Sequence, residues 1–350
     1  MQNIFRDGIL VDVSVSYWTG AITLTAADLG LDPSKVTEAF HLGKKFLVPM
    51  SVIRRFRTKE GQARKIVTES SFPFPIGHAR FVPRRKFTKV LDKLTRCQKD
   101  YDDLVNDLIE KYQDYREKMI PLYEQAAETA YATQTQTGDD PGAKGKFVKN
   151  FLKHIDSLYP AVETLRNRFS MTWDVYEIAM PNMKLSDAEK IALSQEEKDK
   201  AEAQAENERQ YYQDKVHQKM DAFINEVVTS LRGQAVSICS RITKNIQDGK
   251  IVTGKTLKTL REFIDKFSEL NFVGDTRMEQ ELTKLRKEFL DKNTTAAIHD
   301  EDDLKTELNR RLTLLVEMAN NITDVNSVTG EYQRKISWHE DIPADLPAAA

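Results

Sequence analysis

Gly249-Lys-Ile-Val-Thr-Gly254-Lys255-Thr256 has the spacing G-x-x-x-x-G-K-T. In a nucleotide-binding protein that string cradles phosphates with backbone N–H groups, a lysine and a metal-binding hydroxyl. The chemistry needs a buried strand running into the loop and a second carboxylate to hold Mg²⁺. Here Ala235–Gln247 precedes the loop with apolar residues at helical spacing, and no later apolar run ends in Asp. The expectation is a turn between two helices, capped by Gly and Thr. Other chemistries find less. His41, His78, His154, His217, His299 and His339 are scattered, with no zinc-ligand spacing. His78 alone lies among unusual residues, where a packed or solvated ring is favoured. Asp300-Glu-Asp-Asp303 could bind a cation, but it falls where a helix N-terminus favours acids. No serine or cysteine sits in an elbow suited to a nucleophile. No catalytic residue, metal site or cofactor is nominated, and the chain is not expected to be an enzyme.

One feature stands above this background. From Lys44 to Lys99 there are 16 Lys/Arg against Glu60, Glu69 and Asp92, a local balance of +13 in a chain of net charge −2, so the rest carries −15. Arg54, Arg55, Arg57, Arg64, Lys65, Arg80, Arg84, Arg85 and Lys86 flank a loop rich in Phe and Pro. Such cations can neutralise nucleic-acid phosphates, dock an acidic protein, or pair with the chain's own acidic helices in an oligomer. The loop, Ser70 to Pro83, cannot be helix because three prolines and a glycine interrupt it. Phe74, Pro75, Gly77 and Phe81 mark it as an ordered, packed segment.

The elements that must position these residues are mostly helices. Leu91, Leu94, Gln98, Tyr101, Val105, Leu108, Tyr112, Tyr115, Met119 and Leu122 recur by threes and fours, a heptad seam. Pro121 should kink that helix, and its basic first turns oppose the helix dipole, which a solvated end would explain. Val216, Met220, Phe223, Val227, Leu231, Ala235, Ile238, Ile242 and Ile246 form a second seam, and Ser186–Glu189 resembles a capping box. Shorter amphipathic helices are expected over Pro33–Leu42, from Pro49, and over Thr256–Leu270, Thr276–Leu290 and Asp302–Ile322. Only Ile9–Trp18 alternates like a half-buried strand. The expected fold is mainly α: a long antiparallel coiled-coil hairpin with a small helical tip domain and a small α+β amino-terminal segment at its base. The boundaries are 1–83 for the basic α+β segment, 84–133 for the first long helix and 134–183 for linker and tip. The second long helix takes 184–248, base-packing helices 249–335 and a tail 336–350.

Hydrophobic residues make up 40% and charged residues 30%, as in an exposed helical protein. No apolar run approaches a membrane span, and Met1–Asp7 lacks a signal-peptide core. Two cysteines, Cys97 and Cys239, suit a reducing, cytoplasmic setting.

Four stretches carry a resemblance: Leu10 to Gly20, Leu42 to Pro49, Ser71 to Pro83, and Leu270-Asn-Phe-Val-Gly-Asp275. Over most of residues 8–292 the chain resembles an uncharacterised bacterial family carried by phages, plasmids and integrative conjugative elements. The resemblance implies a gene neighbourhood with a MoxR-type AAA+ ATPase and a von Willebrand-A-domain protein, and it carries over no catalytic residue. The function expected is therefore a non-catalytic scaffold or adaptor working with that ATPase and forming a homo-oligomer, without a membrane. The alternative is a nucleic-acid-binding protein of phage or plasmid metabolism using residues 44–99.

Overall fold

A computed structural model describes residues 7–335, except 30, 33, 35, 37–41, 76, 135–140 and 178–194. The side chains of 27, 134, 141, 195–202, 204–206, 208, 209, 212, 213 and 335 also lie outside it. So do the expected helix Pro33–Leu42, the Ser186–Glu189 capping box and the 336–350 tail. The described chain is mainly helical with short antiparallel strands, in two units. One comprises Met1–Asp12, Ser70–Lys89 and Val175–Ala350, and the other Val13–Glu69 and Val90–Asp174.

In the first unit, the start of β1 (Gly8–Ser16) pairs antiparallel with β5 (Arg80–Pro83), which pairs with β4 (Phe72–Pro73). Ile9, Leu10 and Val11 are all buried, so β1 is covered on both faces where alternation predicted one. Gly8 is obligatory there: a Cβ would come within 2.3 Å of the Phe81 ring. The Phe/Pro loop feeds an aromatic cluster. Phe81 lies 4.8 Å from Phe272 and 5.4 Å from Phe223, and Phe74 lies 5.3 Å from Phe223, between ring centroids. Phe74 and Phe81 are buried, while Pro75 and Gly77 are exposed, Gly77 with φ +72°.

The long helix α6 (Gln195–Gln247) carries the unit's core. Its Phe223, Val227, Leu231, Ala235 and Ile242 are buried against α7 (Gly254–Leu270), α10 (Asp302–Ala319) and α11 (Ile322–Lys335). Between them lie α8 (Thr276–Lys284), a π-helical turn Leu285–Leu290 and α9 (Thr295–Asp300). Ile322, expected to close a buried stripe, is 74% exposed because α10 ends at Ala319 and a new helix starts.

The second unit holds the hairpin β2 (Ala21–Thr23) and β3 (Lys44–Phe46), α1 (Met50–Thr68) and most of α2 (Arg84–Glu110). After them come α3 (Tyr112–Gln134), α4 (Pro141–Ser157), the single turn α5 (Val162–Leu165) and β6 (Ser170–Tyr176), which neighbours β1. Phe56 of α1 sits at the centre, stacked on Tyr17 and against Tyr101 and Phe169. The strands β2 to β5 were missed because two to four residues are too few for alternation to register. Ser170–Tyr176, within the expected helical tip, is the strand β6 instead.

The heptad seam is correct from Leu94 to Tyr112 and fails at its end: Leu122 is 57% exposed, and Tyr123, Ala127 and Ala130 are buried instead. The regular helix is interrupted at Lys111, between α2 and α3, and carries Pro121 within α3. Past the interruption the buried line lies one residue beyond the heptad count. Each long run is covered within its own unit, so burial of the two seams does not require the expected hairpin.

Candidate binding surface

The basic residues fall into two groups, one in each unit. Five lie on α1, which starts after Pro49, whose fixed φ suits a helix entry. Val52, Phe56, Ala63 and Val67 are buried on one side. Arg54, Arg57, Gly61, Arg64 and Lys65 follow one another by helical spacing on the opposite side, and all are exposed. Arg55 pairs with Asp107 at 2.7 Å and Lys59 with Asp100 at 2.8 Å, both on α2. Arg64 reaches Glu60 at 3.0 Å and Lys65 reaches Glu69 at 3.6 Å, the weak exposed pairs of helix spacing. Among the described residues Arg54 and Arg57 have no ion-pair partner. The outward face of α1 is thus a ridge of four cations with Thr58 and Gly61 between them and no aromatic ring.

The other four lie at the β5–α2 junction, where most are used internally. Arg80 donates to the Ser71 hydroxyl at 2.7 Å and to the Ser71 carbonyl, and burial lowers its guanidinium pKa. Arg84 reaches Glu177 at 3.4 Å. Arg85 donates to the Ser268 carbonyl, and Lys86 and Lys89 both pair with Glu269. Ser268 and Glu269 belong to the last turn of α7, where free carbonyls and the negative dipole end attract cations. Burial raises the Glu269 pKa, but the two lysines outweigh it and leave the carboxyl below its ordinary value. The basic start of α2 therefore has a counter-anion in Glu269, while Arg84, Arg85 and Lys89 stay exposed as a solvated helix end would.

The phosphate-loop string is a helix–turn–helix. Gly249 (φ +67°) ends α6, with Lys250 N–H donating to Asn245 O and Gly249 N–H to Ile246 O. These two bonds satisfy orphan carbonyls of α6. Thr253 then caps α7 by accepting from Thr256 N–H. Asp302 and Asp303 stand in the first turn of α10, as a helix dipole favours. His78 is exposed in the Phe/Pro loop.

Sequence reasoning missed the buried polar groups. Arg232, 2% exposed in α6, grips both oxygens of Asp275 at 2.7 and 3.1 Å and donates to the Met318 carbonyl. Asp275 also caps α8, and Asn271 binds its backbone. Asn271 and Asp275 belong to the Leu270–Asp275 stretch, which is therefore a structural joint between α6, α8 and α10. In the other unit Lys45 pairs with buried Asp28 at 2.7 Å. Burial raises the Asp28 pKa, but Lys45 and the N–H and hydroxyl of Thr25 together leave it lowered. A signal for Arg232 existed: it shares a helix face with Val228 and Ala235. Among the described residues no group of three His, Cys, Asp or Glu could hold a metal, and no helix is long and apolar enough to cross a membrane.

What these elements define is a helical protein of two units, with one set of cations bonded to other elements of its own unit and another on the outward face of α1. The chain belongs to the family whose model is described as "Protein of unknown function (DUF3150)", matched over residues 6–304. No curated protein and no solved structure matches it.

Proposed function

We propose that the chain is a non-catalytic scaffold or adaptor of a mobile-element system, which docks an acidic protein partner on the outward face of α1. The observation that carries this reading is the ridge of Arg54, Arg57, Arg64 and Lys65, exposed on a helix whose opposite face is anchored in the core. The partner implied by the resemblance is a MoxR-type AAA+ ATPase, with a von Willebrand-A-domain protein beside it, in the cytoplasm. Self-association belongs to the same reading, because the chain outside residues 44–99 carries −15 and offers the ridge an acidic counterpart. The helix α6, with 53 residues, is long enough for a scaffold at roughly 80 Å. The expected antiparallel hairpin is no part of this reading, since neither seam needs it for burial.

Two observations weigh against the nucleic-acid alternative. The cations at the β5–α2 junction bind their own unit's carbonyls and carboxylates, and α1 carries no aromatic side chain on its outward face on which a base could stack. A four-cation contact with duplex would give a slope of log K against log salt of about −3.6. The test is a titration of duplex and single-stranded DNA from about 50 to 200 mM salt, a range over which phosphate binding is strongly screened. Weak binding, unchanged by Arg54→Ala with Arg57→Ala, is the expected result. Submicromolar binding at the higher salt, with a slope made shallower by about two units in that variant, would establish the alternative.

A further inference from the structure

The second unit contains a pocket that plays no part in the α1 ridge. It opens between α3 and α4 and encloses about 340 Å³, within the range of roughly 300–1,000 Å³ that small ligands occupy. Its inner wall is apolar: Ile155 and Tyr123 are buried, and Leu152 is half-buried. Ile120 leaves a large apolar side chain 46% exposed at its edge. One end is cationic. Arg116 stands with its guanidinium carbon 4.7 Å from the Tyr159 ring centre and pairs with Asp156, so its planar fork is held before any ligand arrives. Lys153 is exposed on the same lining, which gives two cations against one carboxylate.

We propose that this pocket binds a small aromatic carboxylate, its ring on Ile120, Leu152 and Tyr123 and its anion at Arg116 and Lys153. Charge selects the class: a lining with two cations against one carboxylate, beside an apolar wall, favours a monoanion with an apolar body over a neutral or cationic molecule. The tyrosines are compatible with it. Burial pushes both Tyr123 and Tyr159 up to about 12, so at neutral pH neither adds a negative charge. The Tyr123 hydroxyl donates to the Phe46 carbonyl at 2.6 Å. The Tyr159 hydroxyl has no partner among the described residues and is available to donate to the ligand's anion.

The experiment is calorimetric titration of the full chain with 2-naphthoate and, as the uncharged analogue of the same shape, 2-naphthamide. Naphthoate should saturate below about 1 mM and bind about tenfold tighter than naphthamide. Lys153→Glu should weaken naphthoate about tenfold and leave naphthamide unchanged, while Ile120→Ser should weaken both. Both positions are exposed, so the thermal midpoints of the two variants should match that of the wild type. Absence of saturable naphthoate binding would overturn the proposal. So would naphthoate affinity that neither substitution alters.

Discussion

Arg85 and Arg54 come from the same basic stretch of sequence and have different neighbours. Arg85 donates to the end of α7 beside Lys86 and Lys89, which share Glu269. Arg54 and Arg57 stand on α1 without an ion-pair partner among the described residues. Net charge per segment does not distinguish the two. What does is whether the three-dimensional fold brings a carboxylate or a helix carbonyl end within reach. A cation bonded to another element contributes to packing. One on an outward helix face, unpaired like Arg54 and Arg57 or paired only within its own helix segment like Arg64 and Lys65, remains available to another molecule.

The comparison predicts a gradient of stability effects that follows burial. The limiting case is Arg232, whose guanidinium is 2% exposed against Asp275. Arg232→Met leaves that carboxylate buried and uncompensated, and should cost about 3–5 kcal/mol in chemical unfolding. Replacing Asp275 by Leu as well should recover part of the loss, since an apolar pair needs no counter-charge. If Arg232→Met is neutral, charge burial does not organise this unit.

Glu269 comes next. Its carboxyl is depressed, so its contribution is fully present above the unfolded value of about 4.3 and is lost as pH falls through the lower folded value. Unfolding measured between about pH 6 and 3 should therefore show the difference between wild type and Glu269→Gln shrinking with acidification. A constant difference would mean that Lys86 and Lys89 do not bind the carboxylate in solution. The smallest effect belongs to α1. Arg54→Ala with Arg57→Ala should change stability by no more than about 0.5 kcal/mol, because solvated side chains with no partner leave nothing unsatisfied. A larger loss would place these arginines with the structural group.

Much of this was legible beforehand. The α1 face was readable because Val52, Phe56, Ala63 and Val67 recur with the helical period and fix where the arginines point. The capped turn at Gly249–Thr256 was readable because a helical seam runs into it. Leu122 was lost because a heptad count carries one register through the interruption at Lys111 and past Pro121. The pairing of Lys86 with Glu269 was not legible because Glu269 lies far along the chain, and no local pattern links the two. The pocket was invisible for the same reason: Arg116 and Tyr159 meet only when α4 folds back on α3.

The central claim is that the α1 ridge docks a protein while the junction cations hold the fold. It is tested most directly by measuring, in two variants, the affinity of purified chain for a MoxR-type ATPase, the partner proposed above. In one, Arg54, Arg57 and Lys65 become Glu; in the other, Arg84 and Arg85 become Ala. The account predicts at least about a hundredfold loss, or about 2.7 kcal/mol, for the α1 variant, and wild-type affinity for the junction variant provided it stays folded. Equal affinity in the α1 variant and the wild type, or a loss confined to the junction variant, would contradict it.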